Sequence, residues 1–138
     1  MSAPATVILQ GPPLLRQGKV RDVYDMVDKL LIVASDRISA FDVVLPTAIP
    51  GKGKILTQAA LFWFERTKNV IPNHLITAKF EDIAAALPRS IKLDREWFDG
   101  RMMLVKKAER VEAECVARGY LTGSAYSDYM MSGMVCGH

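Results

Sequence analysis

The sequence GKVRDVYDMVDKLLIVA, residues 18–34, decides the fold class. Apolar and polar residues roughly alternate through residues 18–26, as they do in a half-buried strand. Residues 30–34 then form an unbroken apolar run of strand length after a turn at Asp28 and Lys29, and the second strand is predicted over 29–35. The pattern predicts a β-hairpin whose second strand is central in a sheet and covered on both faces.

Short strands and helices are predicted outward from this hairpin. A long segment before Pro72 is apolar nearly all round, which is typical of a buried helix. The strands look mostly antiparallel and the helices are interspersed, so the fold class is α+β rather than regular βαβ units. The predicted elements are strands at 43–45, 74–77, 101–107 and 111–117, a helix at 55–67, a helical turn at 81–86, and a helix at 124–131 that stops at Gly133.

Composition excludes several classes of protein. The chain has 138 residues, half of them apolar, and this length is enough for one real core. A net charge of +3 is too mild to indicate nucleic-acid binding. Two distant cysteines give neither a zinc motif nor a disulfide framework. No signal peptide or membrane-length apolar run is present, so we expect a cytoplasmic protein without a membrane partner.

The first polar cluster, residues 17–22, opens the hairpin. Gly18 allows the backbone to approach an anion closely, and Lys19 and Arg21 project to one side of a strand because side chains repeat every two residues. This arrangement suits a polyphosphate lying over a strand edge. A solvated hairpin with ordinary charges is the alternative interpretation.

The second cluster, residues 34–42, follows the apolar strand directly. It places two hydroxyls, two carboxylates and one guanidinium at a strand end, where functional side chains collect. Arg37 is suited to bidentate binding of a carboxylate or phosphate. The alternative is a turn with a surface ion pair, and the sequence leaves open which of Asp36 and Asp42 contacts a ligand.

Two further clusters combine cations with a helix start. Residues 51–54 offer two glycines and two lysines before a helix, which is a plausible anion cradle, although the pattern is not a Walker A loop. In residues 114–124, a strand leads to Arg118 in a glycine-flanked turn, and Ser124 begins a helix. Arginine, hydroxyl and helix start together favour a phosphate or carboxylate ligand.

Four segments, taken in order, resemble the N-terminal half of the phosphoribosylaminoimidazole-succinocarboxamide synthase (SAICAR synthetase) family of purine biosynthesis. The resemblance runs from about Leu15 to Gly137. The segments are GKVRDVY, LLIVASDRISAFD, IPGKGKILTQ and ECVARGYLTGSAY. It implies an N-terminal antiparallel sheet lobe, similar to the small lobe of kinases and ATP-grasp enzymes, at 1–110, and the start of a larger α/β lobe at 111–138.

The resemblance also implies an ATP-dependent carbon–nitrogen ligase. Such an enzyme joins L-aspartate to the carboxylate of carboxyaminoimidazole ribonucleotide, giving SAICAR, ADP and phosphate, with Mg²⁺ accompanying ATP. The carboxylate is activated as an acyl phosphate, which the aspartate amine attacks. Alignment and charge neutralisation, rather than a protein nucleophile, would then supply the acceleration.

Site residues follow from the resemblance, position by position. The resemblance implies no metal ligand within these residues. The implied catalytic residues are Lys19, Asp36 and Arg37; the ATP-binding residues are Gly18, Lys19, Arg21, Arg110, Val111 and Glu112; the substrate-binding residues are Ser39, Lys52, Lys54, Arg118 and Ser124.

Family members continue beyond the VCG motif, so the resemblance implies that this chain is an incomplete form lacking the acidic Mg²⁺ ligands. Exposed apolar surface would then favour homo-oligomers. The main alternative is a catalytically inert nucleotide-binding fragment. A kinase small lobe lacks its clear glycine-rich motif here, and a structural oligomerisation fragment would bind no nucleotide.

Overall fold

The hairpin predicted from residues 18–34 is confirmed. In a computed structural model, which describes residues 6–109, 111–113, 117 and 119–138, strands β2 (Arg21–Asp25) and β3 (Lys29–Ala34) pair antiparallel. Their register sets Asp22 opposite Val33 and Tyr24 opposite Leu31. Because alternate residues share a face, these four residues, all buried, meet on one side of the sheet.

The two units of the chain are Met1–Ala108 and Glu109–His138. The further strands of the first unit are β1 (Leu14–Gln17), β4 (Ser39–Ala40), β5 (Val43–Val44), β6 (Leu75–Thr77) and β7 (Met102–Lys106), and its helices are α1 (Lys52–Thr67), α2 (Phe80–Ala86) and α3 (Arg95–Phe98). This unit contains a five-stranded sheet in the order β1-β2-β3-β7-β6, in which each neighbouring pair is antiparallel. The predicted central position of β3 is therefore confirmed, as is the α+β class.

The core of the first unit lies against one face of the central strands. Residues of β2, β3 and β7 pack there with side chains from α2, α3 and the segment before β1. The members are Leu9, Tyr24, Leu31, Val33, Ile83, Leu87, Trp97, Phe98, Met102 and Leu104. The opposite face of β3 is less covered than predicted, since Leu30 and Ile32 are only partly buried.

The prediction that the long helix is buried is wrong. α1 begins at Lys52, three residues earlier than predicted, and Gly53 and Thr57 are its buried residues. Ile55, Phe62 and Trp63 are each more than half exposed. An apolar helix surface therefore remains uncovered within this unit, and the homo-oligomer predicted from exposed apolar surface stays a prediction.

The second unit contains α4 (Gly123–Ser132). Its helix was predicted, and so was its stop at Gly133, which adopts the left-handed conformation at φ 69°. The strand predicted at 111–117 is absent from the described part of that range, residues 111–113 and 117. Its other residues lie outside the described part of the chain.

Candidate functional site

The end of β3 leads into a buried carboxylate. Asp36 is 2% exposed, and its two oxygens accept hydrogen bonds from the backbone N–H groups of Gly51 (3.0 Å) and Gly53 (2.8 Å). The Arg101 guanidinium donates to the same two oxygens, from Nη1 to one and from Nη2 to the other, the latter at 2.9 Å. Asp36 therefore joins three segments: the end of β3, the start of α1 and the residue before β7.

This carboxylate is held in its charged form. Burial by itself would raise the pKa of Asp36, but the hydrogen bonds from Arg101, Gly53 and Gly51 together lower it below its usual range. A negative charge at the start of a helix is also favoured by the helix dipole. The predicted anion cradle at residues 51–54 thus already holds an anion, which the chain itself supplies.

Glycine is required at two positions of this loop for different reasons. Gly51 has φ 80°, a left-handed conformation in which other residues are strained. A Cβ on Gly53 would lie 2.6 Å from the Ala34 carbonyl oxygen and 2.5 Å from Nη1 of Arg101. The second glycine therefore lets α1 approach the end of β3 closely enough for the Asp36 contacts to form.

Arg37 makes a second set of internal contacts. Nη1 and Nη2 donate to the two oxygens of Asp22 at 3.2 and 2.6 Å, and Nη1 also contacts the Thr6 hydroxyl. Nη2 donates to the Gly18 carbonyl at 2.9 Å, and Nε to the Lys19 carbonyl at 3.3 Å. Both side chains of this ion pair are largely buried. Arg37 therefore holds the turn at residues 17–22, where a polyphosphate was predicted to bind, against the end of β3.

The turn itself presents cations to solvent. The Gly18 N–H donates to the Arg21 carbonyl at 2.7 Å, which closes the turn, and the Arg21 side chain begins β2 as an exposed residue. Lys19 is half exposed and forms an ion pair with Asp42. The hydrogen bond from Lys19 holds the pKa of the exposed Asp42 carboxyl below its usual range.

The segment that carries Asp42 is a strained hairpin. β4 and β5 pair through Ser39 opposite Val44, and the two turn residues, Phe41 and Asp42, have positive φ values of 47° and 66°. Phe41 is fully exposed and Ser39 is partly buried. The two carboxylates lie in different surroundings: Asp36 is buried in internal contacts, whereas Asp42 lies at the surface beside Lys19. Which of them contacts a ligand stays a prediction.

The two lysines of residues 51–54 contact different segments. Lys52 Nζ donates to the Arg37 carbonyl at 3.0 Å, whereas Lys54 Nζ donates to the Glu96 carbonyl at 3.2 Å. Lys52 therefore joins the contacts around Arg37, together with the backbone of Lys19. Lys54 extends toward α3 instead.

The predicted site residues of the second unit stay predictions. Arg110 and Arg118 lie outside the described residues. Val111 and Glu112 are exposed, and Ser124, the second residue of α4, is exposed too. The ATP contacts predicted for Arg110, Val111 and Glu112 and the substrate contacts predicted for Arg118 and Ser124 therefore rest on the resemblance.

Sequence reasoning missed two residues of the first unit, Asp22 and Arg101. Asp22 carried a signal, since it shares the inward face of β2 with Tyr24, where a carboxylate needs a partner. Arg101 was read only as the first residue of a strand. Its partner lies 65 residues earlier, and no local pattern identifies such a pair.

Neither a metal-binding cluster nor a membrane-spanning helix is present among the described residues. Residues 6–109, 111–113, 117 and 119–138 contain no group of three or more His, Cys, Asp or Glu side chains that could hold a metal ion. Among the helices of that part, none is long and apolar enough to cross a membrane.

Comparison with known proteins gives consistent matches. The SAICAR synthetase family matches residues 14–137. The phosphoribosylaminoimidazole-succinocarboxamide synthase of Thermodesulfovibrio yellowstonii is 55% identical over 129 residues, which are 94% of this chain and 43% of that protein. The enzyme of the same name from Elusimicrobium minutum is 56% identical over 125 residues, 91% of this chain and 42% of its own length.

Solved structures of the same family resemble this chain as well. The SAICAR synthase of Saccharomyces cerevisiae, determined in complex with SAICAR, is 39% identical, with a TM-score of 0.85 over 96% of this chain and 46% of that one. A second SAICAR synthase structure gives 38% identity and a TM-score of 0.86, over 98% of this chain and 47% of that one. The chain thus spans a little under half the length of the proteins it matches.

Proposed function

The chain belongs to the SAICAR synthetase family, and we propose that it supplies the ATP-binding lobe of an ATP-dependent ligase of purine biosynthesis. The reaction joins L-aspartate to carboxyaminoimidazole ribonucleotide and gives SAICAR, ADP and phosphate. The observation that carries the proposal is the convergence on Arg37, which contacts the backbone of Gly18 and Lys19 with its guanidinium and Lys52 with its carbonyl. The turn at Gly18 and Lys19 is thereby held next to the segment of Lys52, and a polyphosphate site needs such a combination of backbone and cations.

The chemistry needs positive charge where phosphoryl transfer occurs. The γ-phosphoryl group of ATP passes to a carboxylate oxygen of the ribonucleotide and ADP leaves. The aspartate amine then attacks the acyl carbon, loses a proton and expels phosphate. Lys19 and Lys52 would neutralise the oxygens of ATP during the first step, since fixed cations stabilise the charge of a phosphoryl-transfer transition state. Mg²⁺ would accompany ATP, and we assign it no ligand among the described residues.

Within this proposal, Asp36 and Arg37 act by holding other groups in place. Both oxygens of Asp36 and all three nitrogens of the Arg37 guanidinium already have partners within the chain. Direct contact of either side chain with substrate, as the resemblance implies, stays a prediction. Among the three predicted catalytic residues, Lys19 is the one whose charged side chain is half exposed.

Calorimetry with Mg·ATP and a chimeric enzyme test the proposal together. The chimera carries this chain in place of the matched 129 residues of the Thermodesulfovibrio yellowstonii enzyme. We expect Mg·ATP to bind the isolated chain, little turnover by the chain alone, and SAICAR formation by the chimera. Binding without turnover by the chimera would favour the inert nucleotide-binding fragment instead.

A matched pair of lysine variants sharpens this test. Lys19 and Lys68 are exposed to the same degree, at 53% and 54% of the side chain, and each pairs with an exposed carboxylate. We expect Lys19→Met to lower kcat/KM of the chimera by about 10-fold to 100-fold, as loss of a positioned charge does, and Lys68→Met to change it less than about twofold. Equal effects would contradict a role for Lys19 at the phosphates.

A further inference from the structure

Arg101 is a buried cation outside every cluster that the sequence singled out. It is 4% exposed, and its guanidinium lies 4.9 Å from the centre of the Trp97 ring. Both Nη atoms donate to Asp36, while Nε has no hydrogen-bond partner within the described part of the chain. The buried guanidinium therefore forms its hydrogen bonds to a single carboxylate, and one of its three nitrogens is left without a partner among the described residues.

Stability alone does not account for this pair. Moving two charges out of water costs free energy that their mutual attraction often only balances, and an apolar pair of similar size commonly serves as well. What the ion pair supplies is a defined geometry, because the planar guanidinium and the planar carboxylate meet through two parallel hydrogen bonds.

The geometry of the ion pair determines the position of Lys52, a residue of the proposed site. The two backbone N–H groups that donate hydrogen bonds to Asp36 belong to Gly51 and Gly53, the residues on either side of Lys52. Fixing both neighbours fixes the position from which the Lys52 side chain begins. Its Nζ then contacts the Arg37 carbonyl at 3.0 Å, beside the glycine turn.

We propose that Arg101 is a positioning residue, which through Asp36 holds Lys52 in place for a polyphosphate ligand. The inference rests on the proposed function, because it gives Lys52 a ligand to meet. Arg101 itself touches no substrate in this scheme. Its effect on binding passes entirely through the start of α1.

A double-mutant cycle in the 138-residue chain tests this route, with Mg·ATP as the probe in calorimetry. We expect Arg101→Met and Lys52→Met each to weaken binding by about tenfold or more, as misplacement of a binding group does. Because the two residues act in series, the double variant should bind no more weakly than Lys52→Met alone. Arg95→Met is the matched control, since Arg95 also lies against an aromatic ring and pairs with a carboxylate, but at the surface. Its binding should stay within about twofold.

Amide hydrogen exchange gives a readout that is independent of nucleotide. The N–H groups of Gly51 and Gly53 should exchange faster in Arg101→Lys than in the unmodified chain, and Arg95→Met should leave them unchanged. Arg101→Lys keeps the charge without the two parallel hydrogen bonds, and it serves in the cycle where Arg101→Met does not fold. We expect it to bind Mg·ATP more weakly than the unmodified chain and more tightly than Arg101→Met.

Two results would overturn the inference. The first is multiplied losses in the double variant, which would show that Arg101 and Lys52 act independently. The second is unchanged glycine exchange in Arg101→Lys. Failure of the unmodified chain to bind Mg·ATP is a separate outcome, which refutes the proposed binding function and with it the role of Arg101 in positioning Lys52 for a ligand. The hydrogen-exchange data then decide whether Arg101 fixes the backbone on either side of Lys52.

Discussion

The close approach of α1 to β3 at Gly53 makes a quantitative prediction. In Gly53→Ala, helix propensity alone would stabilise the protein by about 1 kcal/mol. The new Cβ, however, would lie 2.6 Å from the Ala34 carbonyl oxygen, which cannot rotate away, and 2.5 Å from the Arg101 guanidinium. Overpacking of this kind costs about 1–3 kcal/mol. Displacing the N–H from Asp36 costs about 1.5–3 kcal/mol more, because that hydrogen bond is buried and charged.

The net expectation is a loss of about 3 kcal/mol for Gly53→Ala, or a fall of about 10–20 °C in Tm for a unit of this size. Gly51→Ala is the matched control in the same loop. No atom would lie within 4 Å of its Cβ, so it should lose only the backbone strain of its positive φ, about 1–2 kcal/mol. Thermal unfolding followed by circular dichroism measures both variants. A Gly53→Ala protein that melts at or above the temperature of the unmodified chain would refute the steric argument.

Three further predictions concern polar contacts. Asp36→Asn leaves the buried Arg101 charge without its counter-ion, so urea unfolding should show a loss of about 3–5 kcal/mol, whereas Asp42→Asn, in an exposed pair, should leave the midpoint unchanged; equal shifts would contradict the burial argument. Because the folded-state pKa of Asp36 lies below its unfolded value, its stabilising effect is present above the unfolded pKa and is lost as pH falls through the folded pKa. As the pH is lowered into the acid range, the Tm of Asp36→Asn should therefore fall less steeply than the Tm of the unmodified chain. Identical slopes of Tm against pH would refute the stabilising role of the Asp36 carboxylate. Tyr24→Phe removes the hydroxyl that accepts the Leu9 N–H at 3.0 Å, which should cost about 1–3 kcal/mol in urea unfolding; an unchanged midpoint would argue against that hydrogen bond.

The sheet was largely predictable because its signals are local. Alternation through residues 18–26 and the apolar run that follows predicted the hairpin, and the unbroken apolar character of β3 predicted its central position. β1 and α3 are too short and too irregular to give a periodic signal. The pairing of β3 with β7 depends on contacts between distant segments, which periodicity does not encode.

The exposure of α1 shows that apolar composition does not determine whether a helix is covered within its own unit. An apolar surface around Phe62 and Trp63 indicates how much area a helix offers for packing, not which surface covers it. In this unit those side chains are more than half exposed. The inference from apolar character to burial within the same unit therefore failed.

The candidate site was predictable by residue type but not by role. Charge, glycine and hydroxyl content singled out the segments of Lys19, Asp36 and Lys52 as candidate ligand sites, and their contact with a ligand stays a prediction. Whether a carboxylate faces a ligand or a helix start depends on its distant partners, and for Asp36 the partner is Arg101, 65 residues later. This long-range ion pair explains why sequence alone left the role of Asp36 open.

The pairing of β3 with β7 also bears on how the chain folds as it is synthesised. β2 and β3 are neighbours in sequence and form a local hairpin, whereas β7 reaches β3 only after the whole segment between them has been made. Until then β3, the central strand of the sheet, has one unpaired edge, and Asp36 lacks the guanidinium of Arg101. Such an edge is where association between nascent chains competes with folding. The late arrival of one short strand therefore completes both the sheet and the neutralisation of its buried charge.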